Sequence, residues 1–71
     1  MKFPDKVRYL RLKKGYTQTE LANLANISQP ALQAYETGKN KPTKNNAIQL
    51  AKVLGVSYDE LMSDEASVIS E

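Results

Sequence analysis

The side chains of this chain that could recognise a partner are amides and ammonium groups, concentrated between positions 17 and 44. Gln29 and Gln33 are one helical turn apart, and Lys39, Lys41 and Lys44 follow within a few residues. An amide donates and accepts hydrogen bonds at the same time, whereas an ammonium group attracts anions as a point charge. The pattern therefore indicates recognition by hydrogen bonding and charge.

Two residue types that are common in catalytic sites are missing, because the 71 residues include neither His nor Cys. The usual general base, the usual zinc ligand, every disulfide and every Ser–His or Cys–His nucleophile are thereby excluded. Nor does the sequence contain a Gly-rich phosphate loop or a clustered set of carboxylates. It predicts a protein that is not an enzyme and that needs no cofactor and no metal.

Length and charge give further expectations. A chain of this size forms one domain. It contains no apolar run long enough to span a membrane and no signal segment. We therefore expect a soluble, cytoplasmic protein with no membrane partner. Residues 1–44 contain nine Lys and Arg against three acidic residues, a net charge of +6, whereas residues 45–71 carry −4. This asymmetry favours a polyanion on the basic half; an ordinary solvated surface is the alternative.

Capping signals and apolar spacing predict an all-α fold. Thr17 and Glu20 are spaced as a capping box, and Ser57 and Glu60 repeat the spacing. An apolar stripe follows at the helical spacing i, i+3, i+4 and i+7, formed by Ala47, Leu50, Ala51 and Leu54. Together such signals predict five helices at about 4–14, 17–25, 28–36, 43–54 and 57–62.

The second and third predicted helices are joined by a very short turn. Asn26 tolerates the left-handed conformation that ends a helix, and Ser28 can cap the next one. Pro30 then falls at the second helical position, where its missing amide hydrogen costs nothing. With the apolar positions facing inward, the outward face of this helix carries Gln29, Pro30 and Gln33.

These residues resemble a known family. Thr-Gln-x-x-Leu-Ala, Ile-Ser and Glu-x-Gly-x-x-x-Pro stand here as Thr17-Gln18, Leu21-Ala22, Ile27-Ser28, Glu36-Thr37-Gly38 and Pro42. The pattern is similar to the phage repressor and Cro type of helix-turn-helix, the XRE family, from about Val7 to Met62. The resemblance implies a five-helix, lambda-repressor-like DNA-binding domain at residues 1–62, followed at 63–71 by a flexible acidic tail or the start of a linker.

The resemblance also implies a function: a sequence-specific transcriptional regulator, expected to be a repressor, that binds double-stranded DNA as a homodimer on a roughly palindromic operator. Helix 28–36 would lie in the major groove, where the N-terminal side chains of a recognition helix contact base edges. The expected base contacts are Gln29, Pro30 and Gln33. The expected backbone contacts are Thr17, Gln18, Thr37, Lys39, Asn40, Lys41 and Lys44.

Two further pairs have expected roles that come from the resemblance. Arg11 and Glu36 would form a buried ion pair between the first helix and the recognition helix; a surface Arg of little consequence is the alternative. Tyr58 and Met62 would contribute to a dimer interface, or be scattered surface apolar residues.

A second class of function is a protein-interaction module, such as an antitoxin, or the N-terminal part of a larger ligand-sensing regulator. The few residues after the fifth helix make this class the less favoured one for the chain as given.

Overall fold

The computed structural model describes residues 1–63, which form five α-helices. They are α1 (Phe3–Lys14), α2 (Gln18–Ala25), α3 (Gln29–Thr37), α4 (Lys44–Leu54) and α5 (Tyr58–Met62). The described part contains no strand, which confirms the predicted all-α fold, and every helix end lies within one residue of its predicted position. The predicted tail, apart from its first residue, lies outside the described residues.

The helix ends follow the capping signals of the sequence. At α2 the hydroxyl of Thr17 accepts the amide hydrogen of Glu20 at 3.0 Å, and the Glu20 carboxylate accepts that of Thr17 at 2.8 Å. The second predicted capping box is wrong in part. Ser57 accepts from the Glu60 amide at 3.0 Å, but within residues 1–63 the exposed Glu60 carboxylate makes no return bond.

Each helix contributes one or two of the largest fully buried side chains to the core. They are Val7, Leu21, Leu32, Leu50, Leu54 and Leu61. Burying each such side chain contributes about 1.5–3 kcal/mol relative to leaving it in water. On α3, Tyr35 is also buried, and its hydroxyl accepts a hydrogen bond from Asn46 of α4 at 2.9 Å. Because α3 packs against both α1 and α2, its inner face is fixed and its outer face remains uncovered.

A buried lysine attaches the short helix α5 to α1. Lys6 is only 7% exposed, and its Nζ donates to the carbonyl of Glu60 at 2.7 Å and to that of Ser63. The last carbonyls of a helix have no partner within the helix, and a cation near them is favourable. Lys6 therefore supplies the hydrogen-bond donor that the carbonyls at the C-terminal end of α5 lack within the helix. In residues 1–63 no helix is both long enough and apolar enough to cross a membrane.

We expect Lys6→Met to lower the free energy of unfolding by about 1–3 kcal/mol, the range for charged hydrogen bonds whose loss leaves carbonyls unsatisfied. Urea unfolding followed by circular dichroism measures the change. Lys52→Met, at an exposed position of α4, is the matched control and should change stability by no more than about 0.5 kcal/mol. Equal stability of the two variants would show that the Lys6 contacts contribute nothing.

Candidate nucleic-acid interface

The outer face of α3 is polar and accessible. Ser28 caps the helix by accepting the amide hydrogen of Ala31 at 3.1 Å, and Pro30 follows Gln29 at the second helical position. Pro30 and Gln33 are exposed, and Gln29 is half-buried. A shallow depression on this face is lined by Pro30, Gln33, Ala34, Thr37 and Lys39. The structure thus brings two of the predicted base contacts together with two of the predicted backbone contacts.

A bidentate ion pair joins α1 to the C-terminal end of α3. Arg11 Nε lies 2.7 Å from Glu36 Oε2, and a terminal nitrogen of Arg11 donates to Oε1 at 3.1 Å. The two side chains are 11% and 4% exposed, so the pair is nearly removed from water. Arg11 also donates to the backbone carbonyl of Tyr16 at 3.0 Å. A single guanidinium therefore fixes α3, α1 and the segment that leads into α2.

Two glutamines extend this ion pair towards the start of α3. Gln18 is the first residue of α2, and its amide nitrogen donates to Glu36 Oε1 at 3.1 Å. Gln29 is the first residue of α3, and its amide nitrogen donates to Gln18 Oε1 at 2.7 Å. We call the sequence of bonds Arg11–Glu36–Gln18–Gln29 the polar chain. It links the two ends of α3 through α2.

The bond between Glu36 and Gln18 was missed by the sequence reasoning, which gave Glu36 a single partner. A carboxylate has about four acceptor positions, and one guanidinium does not occupy them all. That unused capacity was the available signal, but the distance in sequence between positions 18 and 36 gave no reason to pair them.

The loop between α3 and α4 carries two exposed lysines. Lys39, Asn40 and Lys41 are exposed, and no lysine of this loop forms an ion pair with any residue among positions 1–63. The backbone amides of Lys39 and Asn40 donate to the carbonyl of Ala34 at 2.9 and 3.3 Å. The start of the loop is thereby fixed to the end of α3, while its side chains extend into solvent.

Other predicted contacts are placed less simply. The hydroxyl of Thr37 donates to the carbonyls of Gln33 and Ala34, so it must turn away from its own helix to reach a phosphate. Lys44 lies with its Nζ 5.8 Å from the ring centroid of Tyr58, which means that its ammonium group is directed to α5. Thr17 is exposed at the start of α2.

The predicted dimer residues are both half-buried. Tyr58 lies under Lys44, and Met62 lines a cavity together with Phe3 and Pro42. No group of three or more His, Cys, Asp or Glu among the described residues is placed to hold a metal ion.

A helix-turn-helix family model matches residues 7–61 of the sequence. This match spans well over half of the chain and all of the arrangement described above, from α1 to α5. The chain therefore belongs to the helix-turn-helix family, and the resemblance to repressors of the XRE type is confirmed.

Individual relatives are transcriptional regulators by name. The chain is 36% identical over 69 residues to the cryptic phage CTXphi transcriptional repressor RstR of Vibrio cholerae, covering 97% of this chain and 62% of RstR. It is 41% identical over 54 residues to the uncharacterized HTH-type transcriptional regulator y4dJ of Sinorhizobium fredii, covering 76% and 70% of the two chains. The chain spans less than two thirds of the length of several relatives, among them RstR at 62% and the activator BcrR of Enterococcus faecalis at 32%.

Among solved structures, the fold is similar to that of the P22 c2 repressor in complex with a synthetic operator. The TM-score is 0.85 at 25% sequence identity, covering 89% of this chain and 96% of the repressor chain. The order and packing of the five helices are thus shared with a DNA-bound repressor.

We expect Arg11→Met to lower the free energy of unfolding by about 3–5 kcal/mol, because it leaves the Glu36 carboxylate buried without its counter-charge. Thermal and urea unfolding measure the effect. Arg8→Met, which removes an exposed arginine from the same helix, should change stability by no more than about 0.5 kcal/mol. A loss as small as the control's would mean that the ion pair has no structural role.

Proposed function

We propose that this protein is a sequence-specific DNA-binding transcriptional regulator that places α3 in the major groove. Membership of the helix-turn-helix family and similarity to a repressor bound to its operator support the proposal. The observation that carries it is the division of α3 into two faces. Leu32 and Tyr35 are buried, whereas the opposite side presents amides and no charge, on a helix of the diameter that the major groove admits.

Base contacts are assigned to the N-terminal part of α3. Gln29 stands first on the helix, and an amide can bind the N6 and N7 edge of adenine with two hydrogen bonds. Gln33, one turn later, is exposed and can make a similar contact. Pro30 offers apolar surface of the kind that meets a thymine methyl group.

The DNA backbone would lie along the two borders of α3. Lys39 and Lys41, which form no ion pair within residues 1–63, lie on one side, and Thr17 and Gln18 stand at the amino end of α2 on the other. Such contacts position a protein on the duplex without selecting a sequence. Asn40, Thr37 and Lys44 complete the proposed set, with the last two changing their present partners on binding. The net charge of +6 on residues 1–44 supports a polyanionic partner.

One domain of this size covers little DNA, so we assign it a homodimer on two half-sites about one helical turn apart. Tyr58 and Met62 are the proposed interface residues, since the resemblance to the family points to the fifth helix as the dimer contact and both side chains are only half-buried on α5. The regulator would repress by occupying a promoter in the cytoplasm. It carries out no catalysis in this proposal.

Binding to a random-sequence duplex should weaken with salt, and Lys39→Ala/Lys41→Ala should reduce the slope of log K against log salt by about two, since each phosphate contact contributes about 0.9. Fluorescence anisotropy across a salt series measures the slope. Lys52→Ala, which removes an exposed lysine from the acidic part of the chain, is the control and should leave the slope unchanged.

Gln29→Ala tests base recognition rather than backbone binding, and it is measured on an operator sequence selected with the wild-type protein. It should cost about 1–3 kcal/mol of discrimination at one base pair and leave the salt slope unaltered. Absence of any salt-dependent binding near 50 mM salt would sink the proposal and favour the protein-interaction module.

Tyr58→Glu/Met62→Glu should abolish cooperative binding to a two-half-site operator and leave binding to a single half-site intact, because a charge at the interface opposes pairing of two copies. Sedimentation and gel-shift titration on both duplexes measure this. Leu12→Glu, at an α1 position that is 58% exposed, is the matched control. Cooperative binding that survives in the double variant would place the dimer interface elsewhere.

A further inference from the structure

The polar chain has a direction that is fixed at one end. The guanidinium of Arg11 carries only hydrogen-bond donors, and the ionised carboxylate of Glu36 carries only acceptors. Both side chains are nearly buried, at 11% and 4% exposure, so water cannot readily replace either partner in the hydrogen bonds between them. The first link of the chain can therefore form in one sense only.

The donor-to-acceptor direction of this first bond also determines the orientation of both glutamine amides. Gln18 can face the Glu36 oxygen only with its NH2 group, as the 3.1 Å bond shows, which leaves its carbonyl for the other side. Gln29 must then donate its own NH2 group to that carbonyl, as the 2.7 Å bond shows. An amide is symmetric in shape, but either one turned over here would bring two donors or two acceptors together.

We propose that Glu36 is a positioning residue for specificity: through Gln18 it fixes the orientation of the Gln29 amide and makes Gln29 select adenine over guanine. The inference rests on the proposed function, in which Gln29 contacts a base. It assigns to the Arg11–Glu36 pair a role in specificity that is separate from its role in stability.

The preference for adenine follows from the hydrogen-bond donor and acceptor of Gln29 that Gln18 does not use. Of its two amide hydrogens, one is donated to Gln18, so the groove receives one N–H donor and the carbonyl acceptor. Adenine presents an acceptor at N7 and a donor at N6, which match this pair. Guanine presents acceptors at both N7 and O6, so the Gln29 carbonyl would face the O6 acceptor. A Gln29 amide free to turn over could present its NH2 group and accept guanine.

The test compares two operators that differ at the base pair where Gln29→Ala loses discrimination. One carries adenine–thymine there, and the other carries hypoxanthine paired with 5-methylcytosine. Hypoxanthine has the 6-oxo group of guanine but lacks its minor-groove amino group. The 5-methylcytosine keeps the methyl group that thymine presents in the major groove. We expect the wild type to prefer adenine by roughly 5- to 150-fold, the range of one bidentate contact.

Two variants release the amide by different routes. Glu36→Gln replaces the acceptor-only carboxylate by a group that also donates, and Gln18→Met removes the link while leaving the ion pair intact. Both should bring the ratio of the two dissociation constants to about threefold or less. Gln18→Met keeps the test valid if Glu36→Gln folds poorly, which circular dichroism checks.

Arg11→Lys is the matched control. It weakens the bidentate ion pair but keeps a donor-only cation beside an acceptor-only carboxylate, so the adenine preference should remain while stability falls. The inference is overturned if Glu36→Gln and Gln18→Met keep the wild-type preference, or if Arg11→Lys loses it together with them. Failure of the proposed function is distinct: Gln29→Ala would then alter discrimination at no position.

Discussion

The buried ion pair between Arg11 and Glu36 is the constraint on which the rest of the structure depends. Removing two charges from water is costly, and the cost is offset only when the geometry is good and the remaining donors and acceptors are satisfied. Here the contact is bidentate, a third donor of Arg11 bonds to the carbonyl of Tyr16, and Glu36 accepts from Gln18 as well. The pair therefore sets the position of α3 relative to both α1 and the start of α2.

Apolar packing is the second requirement of the helix pair α2 and α3, which cannot form a core without further helices. The apolar faces of α2 and α3 cannot be covered by each other alone, and α1 and α4 supply the missing surface around Leu21 and Leu32. Because the inner face of α3 packs against α1 and α2, its outer face needs no apolar side chain for stability. Gln33 and Pro30 are therefore exposed without any loss of core packing, and the loop that carries Lys39 starts from a fixed point on Ala34.

Much of the fold was predictable because its signals are local. The capping box of Thr17 and Glu20, the left-handed Asn26 with φ 58° and the cap at Ser28 each act within a few residues of sequence. The predicted return bond, from the Ser57 amide to the Glu60 carboxylate, is absent within residues 1–63, since a capping pattern permits that bond without requiring it. In the candidate site, the predicted residues Pro30, Gln33, Thr37 and Lys39 line one shallow depression, whereas Lys44 is directed to the ring of Tyr58.

The sequence by itself determined where each helix begins and ends, which residues form the core, and which face of α3 carries amides, because these features depend on near neighbours and on helical periodicity. Only the tertiary structure decided how distant polar groups combine. Lys6 reaches the end of α5, and Gln18 donates to Glu36, across separations for which sequence spacing gives no rule. Each of these bonds depends on how the packed helices orient a flexible side chain, so its partner is fixed only when the core has formed.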